Sequence, residues 1–134
     1  ALAAAGQIES AYARSEAYRA IALALVQAEQ TEQAQEAFRQ ALAAAGKIED
    51  ASQRSEAYRA IALALAQAEQ AEQALAAAGQ IENASKRSEA YREAALALAR
   101  AGQTEQAQEA FTKALAAAGQ IEDDHEPFED ELWR

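Results

Sequence analysis

An all-α fold built from repeated helix pairs is what this sequence predicts, and three observations carry that prediction. The segment RSEAYRAIALAL runs from Arg14 to Leu25 and returns letter for letter from Arg54 to Leu65. It returns again from Arg87 to Leu98, altered only at Glu93 and Ala94. Return of one segment at such a spacing is the mark of small units stacked in series. Within the segment Tyr18, Ile21, Ala22 and Leu25 fall at i, i+3, i+4 and i+7, which is one face of a helix. Apolar letters make up 51% of the 134 residues, but most are Ala, so the core is thin and lies along helix seams where backbones approach closely.

Taken in order, the chain opens on ALAAAGQ, which reads as the second half of a unit. The same letters open again at Ala41, Ala74 and Ala114, with Lys47 in place of Gln. The units are therefore 1–40, 41–73 and 74–113, with a partial unit 114–123. With no Met at residue 1, the chain reads as a processed product or an excised part of something longer.

The first helix of each unit begins after Ser10, Asp50 or Asn83. All three residue types cap helices by accepting from free backbone N–H groups, and Asp50 with Gln53 fits a capping box. The second helix begins near Thr31 or Thr104 and puts Ala34, Phe38 and Ala41, or Ala107, Phe111 and Ala114, on one face. Gly46, Gly79 and Gly119 follow the AAA run, where a left-handed residue would end the helix. Between the two helices Gly102 supplies a turn, whereas Glu29 and Glu69 hold that register in the first two units. Glu resists a left-handed backbone, and Ala71 replaces the Thr cap. A turn is favoured there, with a continuous helix from Ala51 to Ala78 as the alternative. The middle unit lacks seven residues corresponding to AQEAFRQ. That is close to two turns, so its second helix shortens without rotating its face, and Ala78 stands in the Phe register.

Tyr18-x2-Ile21-Ala22-x2-Leu25 followed by Ala34-x3-Phe38 resembles the tetratricopeptide repeat. Tyr58, Ile61, Ala62 and Leu65 repeat its first half; Tyr91, Ala94, Ala95, Leu98, Ala107 and Phe111 give the third copy. The resemblance covers residues 1 to about 123. The unit lengths depart from the family's period of about 34. The Pro that usually closes the second helix is Gly here, and the small Gly of the first helix is Ala. Another α-solenoid, such as a HEAT-like array, is the fallback. The resemblance implies a right-handed superhelix of antiparallel helix pairs whose first helices line a concave groove for peptides or proteins. Carried over, that groove presents Glu16, Arg19, Leu23 and Gln27, then Glu56, Arg59, Leu63 and Gln67, then Glu89, Arg92, Leu96 and Arg100. It lacks the Lys and Asn with which some family members clamp a terminal carboxylate. The Glu–Arg spacing permits i, i+3 surface pairs; an Arg row meeting an acidic peptide is the functional alternative.

A net charge of -10 argues against nucleic acid as a partner. With no Cys there is no thiolate chemistry. No run is apolar enough to span a membrane and no signal peptide is visible, which gives a cytoplasmic default. His125 stands alone among Asp123, Asp124 and Glu126, with no partner at metal-ligand spacing, and reads as a solvated residue. The Gly residues punctuate helices and form no phosphate loop. No catalytic constellation, metal site or cofactor motif emerges, so an enzyme is not expected. The acidic tail 124–134 breaks the repeat. Pro127 allows a short capping helix, and Phe128, Leu132 and Trp133 are expected to dock on the repeat body. The functional expectation is a non-enzymatic scaffold for a protein or peptide, with self-association through incomplete terminal units. The alternative is an engineered or consensus-like repeat scaffold with no native partner, which the near-identical units also suit.

Overall fold

A computed structural model describes residues 2–123, and over them the chain forms seven helices and no strand. The helices are α1 (Leu2–Gly6), α2 (Ala11–Gln27), α3 (Thr31–Gly46), α4 (Ala51–Gln67), α5 (Ala71–Gly79), α6 (Ala84–Arg100) and α7 (Thr104–Asp123). No helix among them is long and apolar enough to cross a membrane. His125, Phe128, Leu132 and Trp133 lie outside the described residues.

The starts of α2, α4 and α6 follow the capping chemistry read from the sequence. Ser10 Oγ accepts from the Ala13 N–H at 3.2 Å, Asp50 Oδ1 from Gln53 at 2.8 Å and Asn83 Oδ1 from Lys86 at 2.9 Å. Such a cap stabilises a helix by about 1 kcal/mol. The second helices start differently. Gln30 and Gln70 hold the cap position without a side-chain bond, and Thr31 is the first helical residue. Ala71 in place of Thr therefore removes no cap. The reason lies in the turn before it.

That turn forms in all three units and excludes the continuous helix. Glu29 and Glu69 adopt φ of 61° and 64°, and Gly102 adopts 82°. Around each, two bonds close the same motif. Glu29 N–H donates to Val26 O at 3.0 Å and Gln30 N–H to Leu25 O at 2.9 Å. Glu69 with Gln70, and Gly102 with Gln103, repeat that pair of bonds. The two bonds satisfy free carbonyls and set Gln30, Gln70 and Gln103 as the next caps. The cost of a left-handed Glu, about 1–2 kcal/mol, is outweighed by those bonds and by the packing of the helices on either side. Replacing Glu69 with Gly removes that cost while adding about 0.5–1 kcal/mol of backbone entropy. It also loses the exposed bond from Gln103 Nε2 at 3.1 Å. The expected result is a small gain at Glu29→Gly and little change at Glu69→Gly, and a loss of about 1 kcal/mol at Gly102→Ala, which creates the strain. Urea melts of the three variants check the order.

The inter-unit glycines do something other than was expected. Among the described residues only Gly102 is a glycine with positive φ. Gly46 and Gly79 are the last residues of right-handed helices, and Gly119 lies inside α7, which continues to Asp123. What Gly6, Gly46 and Gly79 permit is close approach. A Cβ at each would lie 2.8, 3.3 and 3.0 Å from the hydroxyl of Tyr18, Tyr58 and Tyr91, twelve residues on in every case. Each glycine is a socket for the tyrosine of the next helix.

Each helix packs on its sequence neighbours: α1 on α2, α2 on α3, α3 on α4, α4 on α5, α5 on α6 and α6 on α7. The first helices of the units also touch in series, α2 on α4 and α4 on α6. The core follows those seams. Phe38, Ile61, Leu65, Ile81 and Leu98 are its largest fully buried side chains, set among Ala22, Ala41, Ala62, Ala78 and Ala95. The α5 helix has 9 residues against 16 in α3, yet Ala74, Ala77 and Ala78 stay buried as Ala41, Ala44 and Ala45 do. Loss of two turns therefore leaves the buried face in phase. Tyr18 and Tyr91 are buried as expected, whereas Tyr58 is only half-buried against the core.

Candidate binding face

The face formed by α2, α4 and α6 carries the residues singled out for a groove. Leu23 and Leu63 are half-buried there, and Leu96 is 39% exposed. A separation of two residues, about 200° around the helix, explains the split between neighbours. Leu65 and Leu98 point into the seam and are fully buried, while Leu63 and Leu96, two residues earlier, point out of it.

Between α4 and α6 this face dips into an open depression of about 410 Å³ lined by Leu63, Gln67, Glu93, Leu96, Ala97, Arg100 and Ala101. Four of these, Leu63, Gln67, Leu96 and Arg100, were expected from the repeat register. Beside the depression Arg59 gathers three carboxylates. Its Nε and Nη2 donate to Glu93 Oε1 and Oε2 at 2.8 and 2.6 Å, a bidentate fork. Glu89 lies 3.3 Å and Glu56 3.4 Å from the same guanidinium. The Arg59 hydrogen bond to Glu93 holds the Glu93 carboxyl below the usual carboxylate range, against the opposing effect of its burial. The same bond, partly offset by burial, holds the guanidinium above its ordinary value.

The i, i+3 expectation is met at Glu56–Arg59 alone. Among the described residues neither Glu16–Arg19 nor Glu89–Arg92 forms an ion pair. The charge instead runs between units, from α4 to α6. Glu93 is the residue that redirects it, and it stands where Ala20 and Ala60 stand in the other units. That substitution was visible in the third copy of the repeat, but its partner thirty-four residues earlier was not. Glu16, Arg19, Leu23 and Gln27 belong to α2 and stand outside this depression. Gln27 is exposed and Arg19 half-exposed. Near them Tyr12 has its hydroxyl pKa raised, first by burial and then by the negative charge of Glu16.

A double-mutant cycle isolates the Arg59–Glu93 pair. With Arg59 about one-third exposed, the coupling is expected to be about 0.5–1.5 kcal/mol at neutral pH, above an ordinary surface pair because of the fork. Glu93 has a depressed folded-state pKa, so its contribution is present above the unfolded value near 4.5 and fades as pH falls through the lower folded value. Urea melts of the cycle at neutral and strongly acidic pH check this; coupling that survives in strong acid contradicts it.

A second arginine that recurs in register, at Arg14, Arg54 and Arg87, was not anticipated from the sequence. Arg14, Arg54 and Arg87 each reach back over the loop before their own helix. Nη1 donates at 2.8 Å to the carbonyl of Ile8, Ile48 or Ile81, and at 3.3, 3.2 or 3.0 Å to that of Glu9, Glu49 or Glu82. Arg54 also pairs with Glu82 of the next loop at 2.5 Å, and Arg87 donates to Gln120. These arginines tie the loops between units to the helices that follow them. Their recurrence was the available signal, but nothing in a sequence marks a backbone carbonyl as an arginine's partner.

Among the described residues no group of His, Asp and Glu could hold a metal ion. Comparison of the chain with protein-family models, with curated proteins and with solved structures finds no match.

Proposed function

We propose that the chain is a tetratricopeptide-like array, a right-handed superhelix of antiparallel helix pairs, and that it serves as a non-enzymatic scaffold binding a protein or peptide on the face of α2, α4 and α6. The reading of the array is supported by packing between sequence neighbours and by first helices touching in series. The observation that carries the binding role is the depression between α4 and α6, where two partly exposed leucines lie beside Gln67 and Arg100. Apolar anchors ringed by a few polar groups suit a peptide side chain with an oriented backbone or carboxylate beside it. Glu56, Glu89 and Glu93 already occupy Arg59, so Arg100 is the cation available to meet an acidic group on a ligand.

Selection from a random-peptide display library on the immobilised chain tests the role. Selected peptides should carry a large apolar residue next to an acid, and Leu96→Glu should reduce their affinity at least about tenfold, roughly 1.4 kcal/mol. Selected peptides that bind the Leu96→Glu variant as tightly would place the site elsewhere. A selection that yields no saturable binder would favour a scaffold with no partner at this face.

A further inference from the structure

The two ends of the described chain carry complementary halves of the seam that the interior uses twice, between α3 and α4 and between α5 and α6. The α3 and α7 helices agree at 14 of 16 positions from Thr31 and Thr104 onward, yet Phe38 is 1% exposed and Phe111 38%. Leu75 of α5 is buried at 7%, while its counterpart Leu115 in α7 is 74% exposed. The difference is the neighbour. The α3 helix is covered by α4 and α5 by α6, whereas α7 packs on α6. The other end shows the reverse. Ile21 and Leu25 of α2 are half-buried, but Ile61 and Leu65, in an identical segment of α4, are 1% and 0% exposed. Here α4 is backed by the sixteen-residue α3, and α2 by the five-residue α1.

Residues 114–121 and residues 1–8 are both ALAAAGQI. The second half of α7 is therefore the same peptide as α1, the element that α2 already accepts. Its Gly119 is an empty socket, with nothing within 4 Å of a Cβ placed there, whereas at Gly6 a Cβ would meet Tyr18 at 2.8 Å.

We propose that α7 of one copy of this chain displaces α1 from α2 of a second copy. Tyr18 of the second copy then fills the Gly119 socket, Leu115 takes the place of Leu2, and Phe111 covers the half-buried Ile21 and Leu25. Contacts made by ALAAAGQI are exchanged like for like, so the gain comes from the added turns of α7, which α1 lacks. The joint uses different surfaces on the two copies, leaves an α7 free at one end and an α2 at the other, and grows head to tail without closing.

Sedimentation velocity of the full chain across a concentration series tests this. The weight-average mass should rise steadily above the 14.3 kDa of one chain without settling at a dimer. Leu115→Glu, at a residue exposed in the single chain, should weaken association at least about tenfold by placing a carboxylate in the joint. Gly119→Ala separates the joint from general stability. In the single chain it is an exposed Gly-to-Ala change in a helix and should raise the melting temperature. In the joint its methyl meets the Tyr18 hydroxyl, so association should fall while the fold gains. A mass that stays at one chain throughout overturns the proposal, as does association that both variants leave unchanged. A chain that associates only after removal of residues 124–134 also overturns it and makes the tail the occupant of α7.

Discussion

Phe38→Ala is expected to cost about 3–5 kcal/mol, and Phe111→Ala about 1 kcal/mol, although the two residues occupy the same place in nearly the same helix. Phe38 is 1% exposed and belongs to the buried cluster with Ala37, Ala41, Ile61 and Leu65. Truncating it leaves a cavity lined by alanines and by residues of α4, and alanine-rich helices have few long side chains with which to refill it. Phe111 keeps over a third of its surface in solvent, so its removal forfeits less burial and leaves no enclosed void. Urea melts in dilute solution, where α7 stays uncovered, measure both. Equal losses would mean that α4 does not cover α3, and the packing order of the helices would be wrong.

Arg54→Ala is expected to cost about 2 kcal/mol, with Arg54→Lys recovering less than half. The guanidinium bonds two carbonyls of its loop, and hydrogen bonds to charged groups contribute about 1.5–3 kcal/mol where buried. The Ile48 carbonyl is part-buried and the Glu49 carbonyl exposed, which puts the sum toward the lower figure. A lysine offers a rotating point charge in place of the planar Nη1 amino group that bonds both carbonyls. The neighbouring pair with Glu82 adds little, because Glu82 is 74% exposed, and Glu82→Ala should change stability by less than about 0.5 kcal/mol. A comparable loss at Glu82→Ala and Arg54→Ala would show that the ion pair, and not the loop carbonyls, is what Arg54 serves.

The parts of the fold that sequence exposes here are those repeated with chemical equivalence. Ser10, Asp50 and Asn83 differ as letters but agree as caps, and all three cap. The buried face of α5 survived a seven-residue deletion because seven residues are nearly two whole turns. What escaped reading was contact between units. Gly46 and Gly79 look like helix terminators, since glycine after an alanine run usually is one; their use as sockets depends on a tyrosine hydroxyl twelve residues on. Thr31 looks like a cap until the preceding turn is known to consume Gln30 first. The groove register placed Leu63, Gln67, Leu96 and Arg100 at one depression, but Glu93, which ties Arg59 across α4 and α6, interrupted the periodic pattern and had no partner visible in its own helix. Repetition itself hid the last difference: identical letters at Ile21 and Ile61, or Phe38 and Phe111, give no hint of unequal burial, because burial comes from the neighbour.

Native-state hydrogen exchange tests that dependence on neighbours without any mutation. The segments Arg14–Leu25 and Arg54–Leu65 have the same twelve letters, so their amides share nearly the same intrinsic exchange chemistry. Any difference in protection reports the surroundings. In dilute solution the amides from Tyr58 to Leu65, covered by α2, α3, α5 and α6, should exchange at least about tenfold more slowly than those from Tyr18 to Leu25, backed on one side by the five-residue α1. Equal protection in the two segments, or slower exchange in the first, would show that the flanking helices do not set the burial of these segments.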